Sequence, residues 1–193
     1  MSQEIPASLA ESNMKQTESY TKQAVSLVNE AHLIITKAKY NITNITNRYS
    51  NAFVINYADG DVTKLDNQCT NASIYCNFLA FDCRAISINN EIISFCKKYN
   101  ILDSKVNTTE SLAKIATVII TKLDKIQTYY TNNQSQINNF SEIDFRVYII
   151  KQYLSYIKKE TNYNICTTIL TNIERYLLNN PLILSDIKLT SDE

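Results

Sequence analysis

From Met14 to Ala52 the apolar and small residues of the chain fall at steps that alternate three and four: Met14, Thr17, Thr21, Ala24, Val28, Ala31, Ile35, Ala38, Ile42, Ile45, Tyr49 and Ala52. An α-helix turns that spacing into one continuous stripe, and five heptads of it ask for a partner helix alongside. A second ladder repeats the rhythm through Val62, Leu65, Cys69, Ala72, Cys76, Leu79, Cys83, Ile86, Asn90 and Ile93. Leu27 and Ile34 are expected to widen the first stripe, and Phe78, Phe81, Ile88, Ile92 and Phe95 the second, which suits a bundle face better than a bare two-stranded seam. Between the ladders stands Tyr57-Ala-Asp-Gly60-Asp61, where Gly60 suits a left-handed helix cap and Asp61 an N-cap. Lys97-Lys98 suits a helix C-terminus. The spacing therefore predicts an antiparallel hairpin over 14–98, its second helix roughly 57 Å long at about 1.5 Å per residue.

The remainder predicts three shorter helices over 108–178. Asn107-Thr-Thr-Glu110 resembles a capping box and opens a helix through Leu112, Ile115, Ala116, Ile119, Leu123, Ile126 and Tyr130. A polar linker, 131–140, reads as mobile. Ser141-Glu-Ile-Asp144 begins a helix with Ile143, Val147, Ile150, Leu154 and Ile157 on one face. Thr161 is the expected cap of a last helix, through Ile165, Ile169, Ile173 and Leu177, which Asn179-Asn-Pro181 stops. Residues 1–13 read as a flexible N-terminus and 179–193 as a tail. The fold class is all-α: a long hairpin with heptad-like seams and about three shorter helices forming a bundle.

Composition narrows the functions. One glycine and two prolines in 193 residues leave no way to write a phosphate loop, a dinucleotide fingerprint or a nucleophile elbow. His32 is the sole histidine, so two- and three-histidine metal sites are excluded, and mid-helix it reads as a partly exposed side chain. Asp59-Gly-Asp61 could start a calcium loop, but the closing position, which needs Glu, holds Thr70. Cys69, Cys76 and Cys83 stand seven apart, about 10.5 Å along a helix, too far to bridge or to share one zinc. Five cysteines cannot all pair within the chain, which favours a reducing, intracellular compartment, the cytoplasm being the expected one. No catalytic, cofactor or metal role is assigned to any residue.

Lys plus Arg and Asp plus Glu are equal at 19 each, and none of the four stretches 1–56, 57–103, 104–140 and 141–193 departs from neutrality by more than two charges. The footprint of a nucleic-acid binder is missing, and charge does not oppose self-association. No uncharged apolar run reaches the roughly 18 residues of a membrane span, so insertion is not expected.

The run Ile115-Ala-Thr-Val-Ile-Ile-Thr-Lys-Leu-Asp-Lys-Ile-Gln127 resembles a central helix of poxviral apoptosis-inhibitor bundles. The resemblance covers about 13 residues and implies capture of an amphipathic death-signal helix in a groove. Such proteins usually carry a C-terminal membrane anchor, where this sequence reads Lys188-Leu-Thr-Ser-Asp-Glu193, and two long heptad helices depart from their globule.

The expected function is non-catalytic: a scaffold, tether or assembly subunit that binds other proteins, or a second copy of itself, through helical faces. Candidate partner-binding residues are Val28, Ile35, Ile42, Leu79, Ile86 and Asn90 on the seams, where polar Asn90 could set register. Tyr148, Tyr153 and Tyr156 form a second candidate surface, since Tyr joins apolar area to a polar tip. The alternatives are the groove-type binder and an enzyme without a recognisable motif.

Overall fold

The computed structural model describes residues 7–49, 59–100 and 108–182, and the side chains of 12–44, 64–100 and 108–182. Among the described residues five α-helices run in the order α1 (Ala7–Tyr49), α2 (Asp59–Tyr99), α3 (Thr109–Asn132), α4 (Phe140–Lys159) and α5 (Tyr163–Asn179), with one 3-10 turn at Gln134–Gln136. The chain is all-α, as the spacing requires.

The two long helices pair antiparallel. Ser94 Oγ donates to Met14 Sδ at 2.8 Å, and His32 Nδ1 lies 3.2 Å from the Ser73 carbonyl and 3.1 Å from its Oγ, so α1 rises as α2 descends. The seam positions from Thr21 to Ile42 and from Cys69 to Asn90 are half-buried, and Ile93 is buried. The hairpin thus closes on itself.

The second half of α2 also belongs to a four-helix unit. Tyr130 meets Asp82 and Lys122 meets Glu91, which sets α3 antiparallel to α2. Gln127 meets Asp144, which sets α4 antiparallel to α3. The Tyr163 hydroxyl donates to the Tyr99 carbonyl and the Leu182 amide to Asn89 Oδ1, which sets α5 antiparallel to α2. The resulting up-down-up-down unit places α4 diagonally opposite α2. Its core joins Phe78, Ile92, Leu112, Ile119, Leu123, Ile150, Leu154, Leu170 and Ile173. Among the described side chains, none of the fully buried apolar ones comes from α1.

Several expectations need correction. Leu27 and Ile34 do not widen the α1 seam; both point to solvent. Phe78, Ile88, Ile92 and Phe95 form a second apolar face on α2, covered by the later helices, rather than a broader seam. Gly60 and Asp61 lie inside the first turn of α2, and Gly60 takes no positive φ. Ala7–Asn13 are helical, so α1 begins seven residues before the ladder does. The α3 cap is Thr108, whose hydroxyl accepts from the Ser111 amide; Asn107 lies outside the described residues. The α5 cap is Asn162 rather than Thr161, and Glu160 Oε1 accepts from both Thr161 and Asn162 amides at 2.9 Å. The linker expected to be mobile is packed, because Ile137 is buried beneath it and its backbone turns through the 3-10 segment.

The α2 helix end at Lys97-Lys98 and the α5 stop before Pro181 stand as expected. Beyond that stop, Arg146 Nη1 donates to the Pro181 carbonyl at 2.8 Å, and Leu182 is buried.

Two outcomes check this packing. Leu123→Ala removes a fully buried side chain and should cost about 2–5 kcal/mol, while exposed Leu178→Ala should stay within about 0.5 kcal/mol, read from urea midpoints. Cys96 and Cys166 are buried, whereas Cys69 and Cys76 are half-buried, and all are free thiols. Burial, with the Glu174 carboxylate adding, holds the Cys96 thiol protonated above its ordinary range. A colorimetric disulfide reagent should therefore label Cys69 and Cys76 well before Cys96 and Cys166, the latter two reacting at the rate of unfolding.

Candidate functional site

Helices α1 and α3 both run antiparallel to α2 and stand apart across a cleft of about 730 Å³. Its floor is apolar: Phe81 and Ile88 of α2, Ile126 of α3 and Val25 of α1. Its rim is charged: Glu18 and Lys22 of α1, Arg84 and Glu91 of α2, Lys122 and Lys125 of α3. Helical spacing produces this lining, since 18, 21, 22 and 25 lie on one face of α1 and 81, 84, 88 and 91 on one face of α2. Lys122 Nζ bonds both Glu91 carboxylate oxygens, at 2.9 and 2.8 Å, so this pair spans α2 and α3. The Arg84 guanidinium carbon sits 4.6 Å from the Phe81 ring centre, a cation–π contact that leaves Arg84 exposed at the rim.

Beneath the floor lies an aromatic and polar cluster. Phe81 stacks on Tyr129 with ring centres 3.4 Å apart, and Tyr129 meets Phe78 and Tyr130 edge-on. The Tyr130 hydroxyl donates to buried Asp82 Oδ1 at 2.7 Å. The Tyr129 hydroxyl is buried without a hydrogen-bond partner. Burial, with the Asp82 charge adding, holds both phenols protonated above the ordinary tyrosine range.

The seam candidates are placed elsewhere. Val28, Ile35 and Ile42 of α1 and Leu79, Ile86 and Asn90 of α2 are all half-buried along the pairing of the two helices. Asn89, which the sequence reading passed over, is the buried one: its Oδ1 accepts from the Leu182 amide at 2.9 Å and anchors the segment after α5. Tyr148 and Tyr156 are exposed, while Tyr153 packs partly against the core and leaves that surface. Phe145, 59% exposed, shares the outer face of α4 with Tyr148 and Tyr156; their offsets of three and eleven residues would have revealed it. His32 is half-buried and joins α1 to α2 through Ser73.

Sequence reasoning also missed what lies outside the α1 seam. Tyr20, Leu27 and Ile34 repeat every seven residues and are 59%, 66% and 62% exposed. Their heptad register was legible, but Leu27 and Ile34 were assigned to the seam and Tyr20 was not singled out.

Among the described residues no three His, Cys, Asp or Glu side chains converge to hold a metal ion, and no helix is long and apolar enough to cross a membrane. Comparison of the chain with protein-family models, with characterised proteins and with solved structures finds no match.

The buried phenols make the cluster testable. Their folded-state pKa lies above the unfolded value of about 10, so above that pH the native state holds more protons and stability falls as pH rises. In an alkaline titration, part of the tyrosinate absorbance should appear only together with loss of helical circular dichroism. Tyr130→Phe leaves Asp82 without this donor and should cost about 1–3 kcal/mol at neutral pH. It should also flatten the alkaline decline.

Proposed function

We propose that the protein is a non-catalytic scaffold or tether that binds other proteins, itself included, through helical faces. The observation that carries the reading is the exposed Tyr20–Leu27–Ile34 stripe on a helix whose seam is already used against α2. A helix with one apolar stripe needs one neighbour; α1 has its neighbour and carries a second stripe.

A second exposed set, Phe145, Tyr148 and Tyr156, lies on α4, which is diagonally opposite α2 and so on the far side of the unit from α1. Two apolar surfaces on opposed sides suit a bridging subunit better than a terminal one. Free thiols suit action in a reducing, intracellular compartment.

Magnitudes set what the α1 stripe can do. Burying three such side chains is worth roughly 3–6 kcal/mol. Association costs about 4–15 kcal/mol in lost freedom. The stripe is thus an anchor within a larger interface and supports only weak pairing by itself.

Light scattering coupled to size exclusion tests the self-assembling form. The expected result is a mass that rises with concentration above 22.1 kDa, and that returns to the monomer in Leu27→Glu/Ile34→Glu with an unchanged thermal melt. A chain that stays monomeric at high concentration, and whose partner capture is identical with and without the double substitution, would remove the α1 stripe as a binding surface.

A further inference from the structure

The exposed stripes of α1 and α4 differ in chemistry and match in length. Tyr20–Ile34 and Phe145–Lys159 each cover roughly 21 Å of helix axis at about 1.5 Å per residue. The first carries Leu27 and Ile34, the second the rings of Phe145, Tyr148 and Tyr156. We propose that the α4 face of one copy receives the α1 stripe of a second copy, antiparallel, so that copies join head to tail. The proposal rests on the reading of the α1 stripe as a protein-binding surface and names what covers it.

Coverage is the first argument. Pairing α1 with α1, or α4 with α4, leaves the other stripe of each copy in water. A contact of α1 with α4 uses both stripes of every copy inside an assembly.

Register and charge are the second. With Ile34 level with the hollow between Phe145 and Tyr148 of an antiparallel α4, Leu27 falls level with the hollow between Gln152 and Tyr156, and Tyr20 reaches the end of the helix beside Lys159. In this register Glu30 stands level with Lys151 and Lys37 with Asp144. Both pairs are of opposite sign, and both lie on one flank of the contact. Glu30 and Lys37 are exposed. Lys151 already meets Asp124 and Gln127, and Asp144 accepts from Gln127 through one oxygen, so the α1 charges would extend an existing network between α3 and α4. The parallel direction, with Leu27 level with Gln152, sets Glu30 against Ser155 and Lys37 against Asn162. Pairing α1 with itself about Leu27 sets Glu30 against Ala24 and Lys37 against Thr17. Neither joins opposite charges.

Size sets the strength. A whole Phe or Tyr buries about 150–250 Å², so six side chains roughly half exposed supply on the order of 500–800 Å², below the roughly 1,200 Å² of a stable interface. Assembly is therefore weak. Each contact leaves one stripe uncovered at either end, so growth does not close at two copies.

The test uses the full chain, light scattering over a concentration series, and two variants. Leu27→Glu/Ile34→Glu loses the α1 stripe and Phe145→Glu/Tyr148→Glu loses the α4 face; Tyr148→Lys/Tyr156→Lys replaces the latter if its thermal melt shifts. The unsubstituted chain should grow past the dimer as concentration rises. Each variant alone should stay at the 22.1 kDa monomer, and an equimolar mixture should form a dimer of one copy of each and nothing larger, because each brings the surface that the other lacks. Adding Lys37→Glu to the variant that keeps the α1 stripe should weaken the mixed dimer several-fold, and Asp144→Lys in the other copy should restore it. A mixture that stays monomeric overturns the proposal. So does a variant that dimerises alone, which assigns the contact to one face paired with itself, and so does a mixed dimer indifferent to Lys37→Glu. An unsubstituted chain that is monomeric at every concentration also overturns it, while the α1 stripe as a binding surface then stands or falls on partner capture.

Discussion

Helix α2 has to satisfy two sets of neighbours at once, and the rest of the architecture follows from that demand. From Cys69 to Ile86 it presents the ladder Cys69, Ala72, Cys76, Leu79, Cys83 and Ile86 to α1. From Phe78 onward it presents a second apolar face, through Ala85, Ile88, Ile92, Phe95 and Cys96, to α3, α4 and α5. Between Phe78 and Cys96 little of the circumference remains for water. Polar groups caught there need partners, because an unpaired buried polar group costs about 1–3 kcal/mol. Asp82 has the Tyr130 hydroxyl, and Asn89 has the Leu182 amide. These two bonds also fix the position of α3 and of the segment after α5, so burial of α2 converts its polar residues into registry pins.

The same two-sidedness explains what could and could not be read from the sequence. A three-and-four ladder identifies a helix regardless of what covers it, so both long helices, their pairing and the later stripes through Leu123, Leu154 and Ile173 were legible. A helix buried on two sides carries two overlapping stripes, and periodicity alone cannot apportion residues between them. Phe78 and Ile92 were therefore assigned to the seam when they face the bundle. The converse error occurred on α1, where Leu27 and Ile34 continue an apolar pattern that stays exposed among the described residues. Helix ends were legible where a side chain does one job, as at Lys97-Lys98 and before Pro181. They were misplaced by a residue where neighbours compete for the same role, as Thr108 does with Asn107 and Asn162 with Thr161. The cleft was not legible at all, since it joins residues from three helices whose mutual placement is set by Tyr130–Asp82 and Lys122–Glu91, two pairings separated by 48 and 31 positions.

Helix α1 is the exception to the close packing seen elsewhere. It is 43 residues long, and none of its described side chains, 12–44, lies fully in the core. Its seam alternates Val28 and Ile35 with Ala24, Ala31 and Ala38, and Thr17 and Thr21 return their hydroxyls to their own helix, onto the Asn13 and Thr17 carbonyls. Small side chains bring the two backbones close but bury little area, so α1 is held by length more than by depth. An element attached in this way keeps most of its circumference free, which is what a binding helix requires and a core helix cannot offer.

The cleft has the same origin. Where α1 passes Phe81 and Ile88, the residues it turns toward them are Glu18, Thr21, Lys22 and Val25. Leucines at those positions would close the space and extend the hydrophobic core to α1, at a gain of roughly 1.5–3 kcal/mol for each side chain fully buried. Charged and small side chains instead leave the space open while the floor beneath it is built as firmly as any part of the fold, with Phe81 stacked on Tyr129 and Ile126 buried against α2. Ile88 and Ile126 are covered within the core all the same, so what the open wall leaves toward water is the half-buried Phe81 and Val25.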